Sequence, residues 1–398
     1  MKTIQINDDL TWVGILDPEL RIFDIVLETE FGTTYNSYVL KGTEKTVVFD
    51  TAKGVFKDEY LEKLASVVDF KDIDIVVAHH VEPDHSGCLE FLLEKNPNIE
   101  VYGTPASITF LADIVNKPFK GYKVKENETI SIGNKTLRFI MAANLHWPDG
   151  MYTYIEEDKI LVSCDSFGAH YSFAPLFESK VENKEDYKKA MWEYYYGIMD
   201  PFRPFVYKTM EKLANLEVDL ILTGHGPVLD VNPREAIKKY AEWSTPTVKN
   251  NLTVIIPYVS AYGYTKRIAL AIKEGIESVN NIEVEMYDMV YTKIEEIFEK
   301  LNDSDGILFG SPTIVRDALD PIWNILSTMK SAQFSGKYAA AFGSYGWSGE
   351  AVPNLTERLK QLKMNVVEGL AIRFQPDEEK LKQAREFGEN FARKMCEE

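Results

Sequence analysis

The chain has 398 residues, 45% of them apolar, and a formal charge of −18. Its length exceeds one ordinary hydrophobic core and its apolar share excludes a disordered chain, so two domains are the starting expectation. The negative charge excludes nucleic-acid phosphates and anionic membrane surfaces as partners unless a basic run intervenes, and no such run occurs.

Met1 to Leu10 (MKTIQINDDL) carries neither a basic segment followed by an apolar stretch nor a cleavage pattern. No apolar run reaches the roughly 20 residues of a membrane span, and a cytoplasmic protein is expected. Cys88, Cys164 and Cys396 are odd in number and far apart, which excludes a disulfide framework and any Cys-x-x-Cys metal or cluster site.

Along the first half, short apolar runs predict strands over Thr46–Phe49, Ile73–Ala78, Thr136–Ala142, Ile160–Ser163 and Asp219–Leu222, with helices interspersed. Trp243 to Asn251 (WSTPTVKNN) is polar and contains proline, and it places a boundary near residue 250. All six histidines precede residue 226, so the halves (1–250 and 251–398) differ in chemistry as well as in pattern. In the second half, Leu252–Tyr258, Glu283–Tyr287, Gly306–Gly310, Tyr338–Phe342 and Val366–Leu370 are five candidate strands separated by helix-length segments, the signature of a parallel α/β sheet.

The densest chemistry is HHVEPDHSG, residues 79–87, which places His80, Glu82, Asp84 and His85 directly after a buried strand. Asp84 or Ser86 can cap the helix that CLEFLLEK suggests, turning the chain so that these side chains converge. His146, Asp165 and His225 each follow another apolar strand, and loops held by a rigid scaffold are where such groups assemble. Each of these three alone is better explained by structure than as a ligand, whereas the seven together are enough for two metals with Asp165 bridging. Four imidazoles and three carboxylates with no thiolate suit iron, manganese or zinc.

This pattern resembles the metallo-β-lactamase superfamily, whose hydrolases carry His-x-His-x-Asp-His in this loop and usually bind zinc. Here Glu82 stands at the second histidine. With His146 in LHWPD, Asp165 in SCDSFGAH and His225 in GHGP, the chain is similar to the flavodiiron subfamily over nearly its whole length. The resemblance implies an αββα sandwich with His80, Glu82 and His146 on one iron, Asp84, His85 and His225 on the other, and Asp165 between them. A carboxylate in place of an imidazole adds electron density and favours higher oxidation states, hence redox chemistry over hydrolysis. His170 is a candidate to reach a metal-bound oxygen species, with a structural loop histidine as the equal alternative. Tyr195 resembles a tyrosine that lines the same pocket in family members, although it is one of three consecutive tyrosines. His79 departs from the asparagine often found there and is read as structural.

After the boundary, the strand LTVIIPYV runs into Ser260–Thr265 (SAYGYT) and then a helix. Small and hydroxyl-bearing residues at this place expose backbone N–H groups and a helix N-terminus to an anion, which holds a monophosphate without lysine or arginine. The spacing resembles a flavodoxin phosphate loop, with Ser260, Tyr262, Gly263, Tyr264 and Thr265 as candidates. GSPT (Pro312, Thr313) and GSYGWSG (Ser344, Tyr345, Gly346, Trp347, Gly349) follow later strands, at the carboxyl ends where open α/β sheets bind ligands. This half therefore resembles a doubly wound, five-stranded flavodoxin-like domain binding FMN, and the whole chain an α/β protein with an α+β first domain.

Joined, the resemblances imply an oxidoreductase that reduces dioxygen to water, nitric oxide to nitrous oxide, or both, at a diiron centre fed through FMN, in detoxification by an anaerobe. A separate rubredoxin is the first expected electron donor, since no rubredoxin module is fused, and a reduced deazaflavin the second. The family arrangement is a head-to-tail homodimer or a dimer of dimers. The rival is a dinuclear zinc hydrolase joined to an electron-transfer flavodoxin, and a non-enzymatic flavodoxin-like carrier with a scaffolding first domain ranks below it.

Overall fold

Strand residues alternate between two faces, so a sheet with both faces covered must split its apolar residues between two cores. The computed structural model, which describes residues 2–25, 27–245 and 250–397, bears this out twice. Contacts divide the chain into Met1–Pro246 and Thr247–Glu398. The expected linker, Trp243–Asn251, falls at this division, and its residues 246–249 lie outside the described residues.

In the first unit, seven strands lie in chain order in one sheet: β1 (Ile4–Gln5), β2 (Leu10–Trp12), β3 (Tyr38–Lys41), β4 (Thr46–Phe49), β5 (Ile75–Val77), β6 (Glu100–Gly103) and β7 (Lys120–Lys123). Five more form a second: β8 (Thr129–Ser131), β9 (Thr136–Met141), β10 (Met151–Ile155), β11 (Ile160–Cys164) and β12 (Leu220–Thr223). Val47, Phe49, Ile75 and Val77 join Phe139, Ile155, Val162 and Leu222 in one core. Val48 and Val76 point the other way, to Tyr60 and Leu64 of helix α1 (Lys57–Val67), Leu92 of α2 (Leu89–Lys95) and Leu111 of α3 (Pro105–Val115). On the far side, Ile140, Tyr152 and Leu161 pack on Met191 of α4 (Lys184–Tyr194), Met210 of α5 (Arg203–Leu213) and Ile237 of α6 (Pro233–Ser244). Three cores on the faces of two sheets make an αββα sandwich.

β4 and β5 are parallel, as are β11 and β12, so the segments that follow β5, β11 and β12 leave ends where loops can meet. Most of the predicted strands fall within a residue or two of their expected bounds. β10 was not among them, although it supplies a residue important below.

In the second unit, the parallel order is β14 (Ile282–Asp288), β13 (Leu252–Tyr258), β15 (Gly306–Gly310), β16 (Tyr338–Tyr345) and β17 (Asn365–Val366), with β18 (Leu370–Arg373) also on β16. Ile255, Ile307 and Ala341 face Ile325 of α8 (Asp320–Thr328) and Leu355 of α9 (Ala351–Gln361). Val254, Leu308 and Ala340 face Ile272 of α7 (Tyr264–Glu277) and Phe391 of α10 (Glu378–Cys396). The sequence reading gave one edge strand over Val366–Leu370, and the structure breaks it there. Val366 faces Ala339 and Leu370 faces Phe342, so four steps along the edge oppose three on β16, a one-residue bulge that interrupts pairing.

Candidate metal centre and flavin cavity

Beyond β5 the chain passes through His79–Glu82 into a short helical turn, Pro83–Ser86, with proline at its first position. This turn carries Asp84 and His85 and brings the His85 ring to 5.8 Å from that of His80. Cys164, at the end of β11, takes a left-handed φ of 48° beside a register shift, and the next residue, Asp165, turns into the same space. Gly224 precedes His225; a side chain there would place its Cβ 2.9 Å from His85 Cε1, so the approach of the two loops requires glycine.

The seven predicted groups come together as two clusters. His80, Glu82 and His146 present ligand atoms within 4.8 Å of one another, and so do Asp84, His85 and His225. Glu82 Oε2 lies 3.1 Å from His80 Nε2 and 3.0 Å from His146 Nε2. Asp84 Oδ2 lies 3.1 Å from His225 Nε2. Asp165 divides its oxygens between the clusters: Oδ2 faces His80 Nε2 at 3.7 Å and His146 Nδ1 at 3.8 Å, while Oδ1 faces His85 Nε2 at 2.9 Å and His225 Nε2 at 3.3 Å.

The electrostatics are those of a cation site. Burial opposes charge on these imidazoles, yet Asp149, Glu82 and Asp165 lift His80 to about 10, Asp84 and Asp165 lift His85 to about 9, and the same two carboxylates lift His225 to about 10. Burial likewise opposes charge on the carboxylates, but the imidazoles hold Glu82, Asp84 and Asp165 below the ordinary range. Asp84 Oδ1 and Asp165 Oδ2 are buried with no hydrogen-bond partner among the described residues. Unpaired buried carboxylate oxygens beside converging imidazoles fit a pair of divalent or trivalent metals.

Several supporting groups were not assigned from the sequence. Asp149 Oδ1 faces His80 Nδ1 at 3.1 Å, and its Oδ2 accepts from Val81 N at 2.9 Å. His225 Nδ1 faces the Thr34 carbonyl. Asp24, on the turn between the short strands Ile22–Phe23 and Leu27–Glu28, is lifted to about 6 by partial burial and then by the charges of Glu82 and Asp84. Asp149 lies inside the quoted LHWPD, and a carboxylate so close to a ligand histidine is the signal that could have found it; Asp24 carries no comparable mark.

His170 is buried beside this centre. Its Nδ1 lies 3.0 Å from Thr33 Oγ1, its ring packs on Phe23 (4.4 Å between centroids) and Tyr194 (4.8 Å), and its Nε2 has no partner among the described residues. Burial, then the charge of His225, pushes it down to about 3, so the ring is neutral near pH 7. The tyrosine that meets the centre is Tyr194, whose hydroxyl donates to Asp165 Oδ1 at 3.1 Å. Tyr195, named from the sequence, instead packs on Trp243 and Tyr240 at 4.9 and 5.0 Å. Adjacent residues at a helix end point about 100° apart, so only one of the pair can face the metals.

In the second unit, a cavity of about 240 Å³ lies at the carboxyl ends of the strands. Eight predicted residues line it: Tyr262, Tyr264, Pro312, Thr313, Ser344, Tyr345, Gly346 and Trp347, joined by Ile314 and Phe374, which the sequence reading did not include. Ser260, Gly263, Thr265 and Gly349 support its wall. Ser260 Oγ accepts from Lys266 N at 3.1 Å, Thr265 Oγ1 meets Ser344 Oγ at 2.9 Å, and Gly349 packs beside the Tyr345 ring. Gly263 takes a φ of 79° at the start of α7, a conformation suited to glycine, and as the capping residue it brings no side chain to the helix, whose Lys266 N is met by Ser260 Oγ. Tyr262 is 80% and Trp347 83% exposed, leaving broad ring faces open beside the first N–H groups of that helix. The arrangement fits a planar aromatic ring system carrying a phosphate. Arg316 rides 5.2 Å from the Trp347 ring, and Arg373 5.7 Å from that of Phe374.

Comparison with known proteins gives a family model for each half of the chain. The model of the ODP family beta lactamase matches residues 33–226, and that of flavodoxin matches residues 256–388. The chain is 43% identical to Flavo-diiron protein FprA2 of Clostridium acetobutylicum, over 99% of this chain and 100% of that one. It is 35% identical to the anaerobic nitric oxide reductase flavorubredoxin of Vibrio vulnificus, over 98% of this chain and 80% of that one. Among solved structures, rubredoxin oxygen:oxidoreductase from Desulfovibrio gigas superposes with a TM-score of 0.70 at 29% identity, covering 100% of this chain and 99% of that one.

Proposed function

Because the chain belongs to the flavodiiron protein family, we propose that it reduces dioxygen to water, nitric oxide to nitrous oxide, or both, at the centre built by His80, Glu82, His146, Asp84, His85, His225 and Asp165. The observation that carries this reading is Asp165, one oxygen turned to each cluster, with Glu82 adding an anion where a zinc hydrolase of this fold has a neutral imidazole. When bound, a pair of iron ions supplies one-electron steps and open positions for a diatomic ligand, and FMN stores one or two electrons.

The chain's own residues do the rest. Asp149 accepts from His80 Nδ1 and the Thr34 carbonyl from His225 Nδ1, which leaves each Nε2 lone pair for a metal. Tyr194 donates to Asp165 and holds the bridging carboxylate in register. His170, neutral and tied to Thr33 at one nitrogen, keeps Nε2 free to hydrogen-bond a small ligand. In the second unit, the loop at Ser260–Thr265 and the N-terminus of α7 receive the flavin phosphate, with Trp347, Tyr345 and Phe374 beside the ring.

Electrons come from a donor protein of the rubredoxin kind, with a reduced deazaflavin as the second candidate. Two copies pair head to tail so that the flavin of one serves the metals of the other, which is consistent with twofold symmetry. Among the described residues, no helix is long and apolar enough to cross a membrane.

Anaerobically purified protein, assayed for iron and FMN and then mixed with each gas, tests the reading. It should hold two irons and one FMN per chain and consume at least one gas, while Asp165→Ala should abolish turnover and iron binding with FMN retained. Zinc in place of iron, with neither gas consumed, would favour the hydrolase alternative.

A further inference from the structure

His79 sits immediately before the first metal ligand, and its surroundings are more constrained than loop packing requires. Its side chain is 0% exposed. Nδ1 lies 2.8 Å from Asp50 Oδ2, and the backbone N–H of the same residue donates to Asp50 Oδ1 at 2.8 Å. Nε2 lies 2.7 Å from Thr153 Oγ1, and the His79 carbonyl accepts from Met151 N at 3.0 Å. Asp50 follows β4 in the first sheet, whereas Met151 and Thr153 belong to β10 in the second.

One residue is therefore tied by four hydrogen bonds to both sheets of the sandwich. A buried imidazole is tolerated where both nitrogens are satisfied, and here each is satisfied by a different sheet. The hold continues into the ligand loop, because Asp149, two residues before β10, grips both His80 and the backbone of Val81. The other cluster is fixed elsewhere. The His85 carbonyl accepts from Thr51 N and Thr51 Oγ1, and His225 rests on the Thr34 carbonyl.

We propose that His79 is a positioning residue, a buried strut between the two sheets that holds the His80–Glu82–His146 half of the metal centre, so that weakening the strut releases the metal of that half and spares the other. The proposal rests on the reading of these clusters as a metal pair. It assigns the two halves unequal dependence on the scaffold, and it gives His79 a task that the ligands themselves do not perform.

The test follows metal release from the fully loaded protein into a chelator, with FMN content and mixed-valence electron paramagnetic resonance measured alongside. Thr153→Val, nearly isosteric, removes only the far contact of the strut. His79→Ala removes the strut itself. In Thr153→Val, one metal per chain should leave several-fold faster, short of the roughly 10- to 100-fold range for a partner that touches a metal ligand itself. The second metal should leave at the rate of the unaltered protein, the spin-coupled signal should fall as the first departs, and FMN should stay bound. Asp149→Asn, which acts on the same half, should accelerate the same metal. His79→Ala should repeat the selective loss, and if it does not fold, Thr153→Val still decides the question.

Release of both metals at unaltered rates in Thr153→Val would overturn the proposal, as would equal acceleration of both with a matching loss of thermal stability. The release rates, though not the resonance signal, can be read equally well on bound zinc, so finding zinc would sink the redox reading while leaving the strut to be judged by its own rates.

Discussion

The two units build their sites by opposite means. In the first, charged and imidazole side chains are buried, hydrogen-bonded to second partners and aimed at points that a small cation would occupy, as Asp165 and Asp149 illustrate. In the second, the cavity is walled by exposed rings such as Tyr262 and Trp347, and the phosphate place is made by backbone at Gly263 and the start of α7. A metal pair needs fixed charge at fixed points, so it is paid for in buried polar groups and becomes sensitive to protons and to supporting residues. A flavin needs a broad surface and a few N–H donors, so its site tolerates change in any one side chain.

The largest expected difference is in response to pH. Without metal, His80, His85 and His225 hold protons up to about 10, 9 and 10, and each must release one to bind a metal. Iron affinity should therefore climb with pH below about 9, by up to roughly tenfold per pH unit for each proton displaced. FMN affinity should stay nearly flat over the same range, and parallel titrations of the two would break the comparison if both rose together. The sign for the metal-free fold is opposite. These raised values contribute stability that is fully present below the ordinary histidine value of 6.5 and is lost as pH rises through about 9 to 10, which thermal melts of metal-free protein would record.

A smaller effect is expected from Asp149→Asn. It keeps the shape but withdraws the charge that orients His80, and metal affinity should fall about 10- to 100-fold with FMN unaffected. Competition with a chelator gives the number. The smallest is Trp347→Ala, which removes one open wall of the cavity. An aromatic contact worth about 0.5–1.5 kcal/mol beyond its area predicts a weakening of FMN binding of roughly two- to tenfold, readable by flavin fluorescence, with iron content unchanged.

Much of this was legible in the sequence because strand ends mark where functional groups gather. The seven ligand candidates each follow an apolar run, and eight of the twelve flavin candidates line one cavity. Asp149 apart, what the sequence reading missed has no local mark. Tyr194 and Tyr195 are neighbours of one kind, and only the direction of the last turn of α4 decides which meets Asp165. Phe374 enters the flavin cavity from beyond a bulged edge strand that the apolar pattern presents as continuous.

The sequence alone determined the two-unit organisation, the parallel sheet of the second half and the donor chemistry of the metal centre, because these depend on residue type and on periods of a few residues. Tertiary structure alone decided which partner each buried group meets: Asp149 on His80, Thr34 on His225, and Asp50 with Thr153 on His79. Those pairs join segments from 29 to 191 positions apart, and no local pattern encodes them; they form because packing two sheets leaves each buried polar atom only the partners that geometry brings within reach.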